Sequence, residues 1–182
     1  MPIRLPLETE RLILREFMPD DWEAVQRYAC DPEVTRFMPW GPNTEDQTRE
    51  FVRRVIDSAQ ANPRVEFGLA VALKTDGQLI GACHAGITHE HMQACIGYVY
   101  HKDWWGQGYA TEAARALVRF GFEQLGLHRI YASCDAENIG SARVLEKAGM
   151  RQEGRFLQAV WTRGQWRDQL RYAILEQEWA GQ

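Results

Sequence analysis

Trp104-Trp105-Gly106-Gln107-Gly108-Tyr109-Ala110-Thr111-Glu112-Ala113 joins a β-prone run at residues 95 to 100 to a helical pattern at 110 to 125. In that pattern Ala114, Leu117, Val118, Gly121 and Leu125 fall near one face. Glycines allow a backbone path that a Cβ would obstruct, and the first turn of the helix leaves its N–H groups free with a partial positive charge. Such a strand–glycine–helix junction binds anions, and a pyrophosphate fits it. A packing turn uses the same glycines, so the G-x-G alone leaves both roles open. Two phosphate loops are excluded. No Lys-Ser/Thr follows the glycines, and Thr111 stands where a dinucleotide fingerprint wants a third Gly or Ala.

Upstream, Leu12 and Leu14 alternate with Arg11 and Ile13 in a strand pattern. Pro19-Asp20-Asp21 then offers a helix start before Trp22, Val25 and Ala29. Residues 44 to 61 read as a helix ending before Pro63, with Phe51, Val55 and Ile56 on one stripe. Strands at 65–73 and 78–87 flank Asp76-Gly77, a hairpin signal that predicts antiparallel pairing. Downstream come a short strand at 129–134 and a helix at 138–148 with Asn138 as its N-cap and Gly149 at its end. Two further strands follow within 151–179, around a turn at Arg163-Gly164-Gln165. This order predicts a mixed sheet with helices packed on its faces, parallel where a helix crosses between strands.

The chain has 182 residues, 45% of them hydrophobic and 25% charged, with no repeat or low-complexity linker. One domain spanning residues 1–182 is the expectation. A formal charge of -4, from 25 acidic against 21 basic residues, argues against nucleic acid as a partner. The Trp161-Thr162-Arg163-Gly164-Gln165-Trp166-Arg167 segment mixes aromatics with positive charge, which suits RNA or simply a hairpin tip. Cys30, Cys83, Cys95 and Cys134 lie far apart without a C-x-x-C pair, so they read as reduced thiols and no metal site is expected. No apolar run approaches the roughly 18 residues of a membrane span, and the N-terminus lacks the apolar segment of a signal peptide. No membrane partner is expected, and the cytoplasm is the expected location.

Trp105-Gly106-Gln107-Gly108-Tyr109-Ala110 resembles the signature of the GNAT acetyltransferase superfamily, with Trp105 where the signature has a polar residue. Ile96-Gly97-Tyr98, Thr111-Glu112-Ala113, Gly126-Leu127-His128-Arg129-Ile130, Asn138 with Ser141, and Arg143-Val144-Leu145-Glu146-Lys147-Ala148-Gly149-Met150 extend the likeness. With Thr9-Glu10-Arg11-Leu12-Ile13-Leu14-Arg15 and Gly164-Gln165-Trp166-Arg167-Asp168 it covers nearly the whole chain. The branch it resembles is that of the ribosomal-protein N-terminal acetyltransferases.

The resemblance implies an α/β (α+β) fold whose mixed, mostly antiparallel central sheet is splayed between the fourth and fifth strands, with helices on both faces. It implies acetyl-CoA as cosubstrate, bound between the strand at 96–100 and that at 129–134. Unpaired N–H and C=O groups around Tyr98, Val99 and Tyr100 would bond the pantetheine amides. The pyrophosphate would take the amides of the Trp105, Gly106, Gln107, Gly108, Tyr109, Ala110 and Thr111 segment. Asn138 either meets a pantetheine amide or serves only as the helix cap. Lys147 either meets a CoA phosphate or is a solvated helix lysine.

The implied reaction is direct attack of an amine on the thioester. Only the neutral amine attacks. An α-amine with a pKa of about 7.7 to 8.0 is on the order of 10% neutral at pH 7, against under about 0.1% for a lysine near 10.4, so an N-terminal acceptor demands less of a base. A backbone N–H near Val99 is the implied donor to the developing oxyanion. Ser141 is the candidate acid or hydrogen-bond donor to the leaving thiolate; otherwise it is a first-turn helix serine. The base is less legible. Relatives commonly carry Glu where this chain has Cys95, which reads as apolar filler or as an acyl-acceptor thiol. Glu90, between His89 and His91, is the candidate base or substrate anchor, or part of a solvated loop.

The leading expectation is therefore an acetyl-CoA-dependent N-acetyltransferase acting on a protein N-terminal α-amine, as a monomer or homodimer. The alternatives are a small amine as acceptor (an amino acid, polyamine or aminoglycoside) and a non-catalytic acyl-CoA sensor.

Overall fold

A computed structural model describes residues 3–88 and 92–179. Eight strands form one sheet in the order β1-β2-β3-β4-β5-β6-β8-β7. They are β1 (Leu7–Glu8), β2 (Leu12–Arg15), β3 (Glu66–Leu73), β4 (Leu79–Thr88), β5 (Gln93–Tyr100), β6 (Arg129–Asp135), β7 (Arg151–Thr162) and β8 (Gln165–Leu175). The helices are α1 (Trp22–Ala29), α2 (Glu45–Ala59), α3 (Tyr109–Glu123), α4 (Ile139–Lys147) and the single turn α5 (Glu176–Trp179). β1 and α5 lie outside the sequence-based pattern, because two- and four-residue elements carry no readable period.

The parallel pairing expected of strand–helix–strand crossovers holds for β5 and β6, bridged by α3, and all other neighbours are antiparallel. The Asp76-Gly77 hairpin forms as expected between β3 and β4. α2 starts on a reciprocal cap, in which the Thr44 hydroxyl accepts from the Gln47 amide and the Gln47 side chain accepts from the Thr44 amide. Both ends of α4 match the sequence reading. Asn138 Oδ1 accepts from the Ser141 amide at 3.0 Å, and past the C-terminus the Met150 amide donates to the Leu145 carbonyl at 3.1 Å.

Alternation along the strands gives the sheet two covered faces. On one, Phe67, Leu69, Val71, Ile96, Tyr98, Ile130 and Ala132 pack with Ala113, Leu117, Phe120 and Leu145 of α3 and α4. On the other, Ala70, Ala82 and Val99 pack with Val25, Tyr28, Val52 and Val55 of α1 and α2. Among the described residues no helix is long and apolar enough to cross a membrane. The four cysteines are free thiols.

β5 and β6 pair only at Gln93↔Arg129, Ala94↔Ile130 and Cys95↔Tyr131. Beyond Cys95 and Tyr131 they diverge, each still held by its outer neighbour, β4 or β8. The sheet is thus split from its middle to one edge, and α3 begins and α4 is capped at the open end.

Candidate active site

The backbone of β5 supplies one wall of the split. The His101 amide bonds the Ile80 carbonyl at 2.9 Å, in register with Ala82↔Val99 and His84↔Gly97, so odd-numbered residues of β5 bond β4. The even-numbered ones turn their N–H and C=O toward β6. At the closed end the Met92 carbonyl accepts from the His128 amide at 2.8 Å. The last pair, Cys95↔Tyr131, still uses the Ile96 N–H, so the Ile96 carbonyl and the polar groups of Tyr98 are what face the gap. Val99 is a correction to the sequence reading. Its N–H and C=O point to Ala82, away from the opening, because a strand's polar groups alternate sides, and it cannot donate to an oxyanion between β5 and β6. Tyr100 has the right parity, but its carbonyl already accepts from Trp105 Nε1 at 2.9 Å. Trp105 therefore braces the glycine turn against the end of β5.

In the turn, Gly106 and Gly108 have φ of +74° and +85°, and Gly108 caps α3 in the left-handed conformation. Side chains rarely adopt that conformation, and a Cβ at Gly106 would project into open space. The freedom needed is thus that of the backbone path. Tyr109, Ala110 and Thr111 form the first turn of α3, whose N–H groups have no intrahelical acceptor. The backbone geometry is that expected of the motif. Gln107 is tied to the Asp103 carbonyl at 2.8 Å through Nε2.

The turn is held from below by residues to which the sequence assigns no role. Glu112 accepts from the Thr9 hydroxyl at 2.5 Å, the Arg11 amide at 2.8 Å and Arg11 Nε at 2.7 Å. Arg11 Nη1 in turn reaches the Gln107 carbonyl at 3.0 Å, and its guanidinium lies 4.2 Å from the centre of the Tyr109 ring. Burial pushes the Glu112 carboxyl up, but the hydrogen bonds from Thr9 and Arg11 outweigh it and hold the group below the usual range.

Ser141 lies in the first turn of α4 with its Oγ 3.0 Å from the phenol oxygen of Tyr98, which is also 3.1 Å from the Ser141 carbonyl. Cys134 of β6 adjoins the pair. Its thiol is pushed up to about 11 by burial, partly offset by a hydrogen bond from Ser141. Burial likewise raises the Tyr98 phenol, so both groups are protonated at neutral pH. Tyr98 was expected to contribute its backbone, yet its side chain joins Ser141 too. The period-2 pattern carries that signal, since Tyr98 shares its face with the core residues Ala94 and Ile96.

Asn138 caps α4 and, through that cap, places Ser141. Lys147 sits at the opposite end of α4, exposed, roughly 13 Å along the helix from Asn138. Its carbonyl accepts from Arg115 Nε at 2.9 Å, so this end of α4 is tied to α3, the helix that follows the glycine turn. Glu90 lies outside the described residues. Cys95 is half-buried and its thiol is raised by desolvation, which makes it a poor nucleophile and no base. Among the described residues no cluster of His, Cys, Asp and Glu is arranged to hold a metal.

This geometry agrees with what the chain is similar to. The family described as the acetyltransferase (GNAT) domain matches residues 11–151, and the chain belongs to it. An uncharacterized N-acetyltransferase, YnaD of Bacillus subtilis, is 39% identical over 175 residues, covering 95% of this chain and 98% of its own. The crystal structure of a GNAT-family acetyltransferase from Bacillus anthracis superposes with a TM-score of 0.85 at 37% identity, covering 94% of this chain and 98% of that one. RimL, a ribosomal L7/L12 alpha-N-protein acetyltransferase solved with coenzyme A, shares the fold with a TM-score of 0.83 at 20% identity, covering 93% of this chain and 96% of its own. The protein is a GNAT N-acetyltransferase.

Proposed function

We propose that this chain, working as a single domain, transfers the acetyl group of acetyl-CoA to a protein N-terminal α-amine by direct attack in a ternary complex. The observation that carries the reading is the split between β5 and β6, which ends beside a glycine turn at the start of α3. A chain of amides ending in a diphosphate matches it part for part: outward backbone groups of Ile96 and Tyr98 for the amides, and free α3 amides for the phosphates. The cosubstrate supplies an activated acyl carbon and a thiolate leaving group. Ser141 would donate a hydrogen bond to the departing sulfur, a role supported by its pairing with Tyr98 and its seat in the first turn of α4 behind the Asn138 cap. With Val99 turned away, the outward amides of β5 are the remaining main-chain donors for the carbonyl oxygen.

The α-amine is favoured as acceptor because a useful fraction of it is neutral near pH 7, and Cys95 offers no carboxylate to deprotonate a lysine. The test incubates the protein with labelled acetyl-CoA, peptides beginning with Ala or Ser, and small amines including spermidine, and follows products by mass spectrometry. Label on the peptide α-nitrogen is the expected result. Label confined to spermidine would move the acceptor to small amines, and cofactor binding without any amine-dependent thiol release would identify an acyl-CoA sensor.

A further inference from the structure

Cys95 cannot act as the base and Glu90 lies outside the described residues, so the sheet face opposite Ser141 becomes informative. Because strands alternate, Glu66 of β3, His84 and Gly86 of β4, Cys95 and Gly97 of β5, Tyr131 of β6 and Arg171 of β8 all belong to that face. His84 lies in a cross-strand row between two glycines, Gly68↔His84↔Gly97. The gap at Gly68 is filled by Val55 of α2, whose Cγ1 would lie 2.7 Å from a Cβ there. The gap at Gly97 is filled by the imidazole itself. A Cβ at Gly97 would come within 2.8 Å of His84 Nδ1 and closer still to Cε1. The ring is thus laid over β5 two residues from Cys95, where β5 and β6 begin to part, and it remains exposed. Among the described residues no protein group hydrogen-bonds it.

The geometry points to His84 as the catalytic base, taking the proton from the acceptor amine on the face of the sheet opposite Ser141. This rests on the transferase reading above. As the amine lone pair bonds the thioester carbonyl carbon, the C–S bond breaks and its electron pair leaves on sulfur. The amine proton passes to the imidazole and on to solvent, and the sulfur gains one proton from the Ser141 side, so amine and thioester become amide and thiol with no net change in protons. Among the described residues, the ionisable groups on the strands of that face include Glu66, Cys95, Tyr131 and Arg171, with Arg15, Arg129, Asp135 and Arg167 on it as well. Desolvation lowers the imidazole below its ordinary value, with Glu66 opposing, so the ring is neutral and able to accept near pH 7.

The test compares wild type with His84→Ala and His84→Gln, using an Ala-initiated peptide, spermidine and hydroxylamine as acceptors. Hydroxylamine is a weak base, already neutral at pH 7, and needs little help. Coenzyme A affinity, measured by calorimetry, should stay within about twofold, since the ring is not among the cofactor groups. Turnover with the peptide or spermidine should fall by about 100-fold or more, while turnover with hydroxylamine changes little. Unchanged turnover, or an equal loss with all three acceptors, would overturn the role of His84 while leaving the transferase reading intact. A wild type that binds coenzyme A and acetylates none of them overturns both.

Discussion

The phenol oxygen of Tyr98 lies 3.0 Å from the hydroxyl of Ser141, tying β5 to the first turn of α4 on the far side of the split. Neither group titrates near neutrality, so the pair can give a hydrogen bond to a thiolate without itself losing charge balance. Ser141→Ala is expected to lower kcat by about 100-fold while coenzyme A affinity stays within a few-fold. Tyr98→Phe should cost less, because Ser141 keeps its hydroxyl. Steady-state kinetics beside calorimetry separate the two quantities, and full activity in Ser141→Ala removes the serine from the mechanism.

The left-handed path through Gly106 and Gly108 makes a backbone prediction. A β-branched residue at φ of +85° is strained by about 1–3 kcal/mol, so Gly108→Val should re-route the turn and misdirect the first amides of α3. Coenzyme A should bind at least about tenfold more weakly, with thermal stability reduced by less than a core substitution would reduce it. Unaltered affinity would argue against the phosphate role.

Glu112 predicts a pH dependence of stability. Its folded carboxyl rests below the ordinary range, so the folded chain binds this proton less readily than the unfolded one. The stabilisation is therefore complete above the ordinary glutamate range and is lost as pH falls through the lower folded value. Glu112→Gln should cost about 1–2 kcal/mol at pH 7, discounted for the half-exposed Arg11, and the gap to wild type should close in acid. Urea titrations at several pH values would read both.

The tip of the β7–β8 hairpin is clamped to the segment between α1 and α2. Arg163 Nη2 donates to the carbonyls of Thr35 and Gly41, each at 2.9 Å, and of Trp40 at 3.3 Å. Arg163→Ala should release the tip, giving faster hydrogen exchange at both segments. Because none of the hydrogen bonds of the clamp involves the glycine turn, acceptor KM should rise with coenzyme A affinity unchanged. A change in cofactor affinity alone would contradict that placement.

What was legible in the chain was whatever depends on near neighbours. The glycine turn, the helix that follows it, the Asn138 cap and the Asp76-Gly77 hairpin each rest on a few consecutive residues whose backbone preferences agree. The turn around Arg163 was readable for the same reason, and its aromatics gave no hint that Arg163 would reach back across 122 positions to Gly41.

Residues 104–113 by themselves determined the strand–turn–helix junction, because φ > 0 and free helix-start amides are local properties. Tertiary structure decided the rest: that Val99 faces β4 rather than the opening, that Glu112 braces the turn through Thr9 and Arg11, and that His84 covers Gly97. Each of these depends on register between strands or on contacts between distant segments, and such alignment is set by packing the whole sheet against its helices.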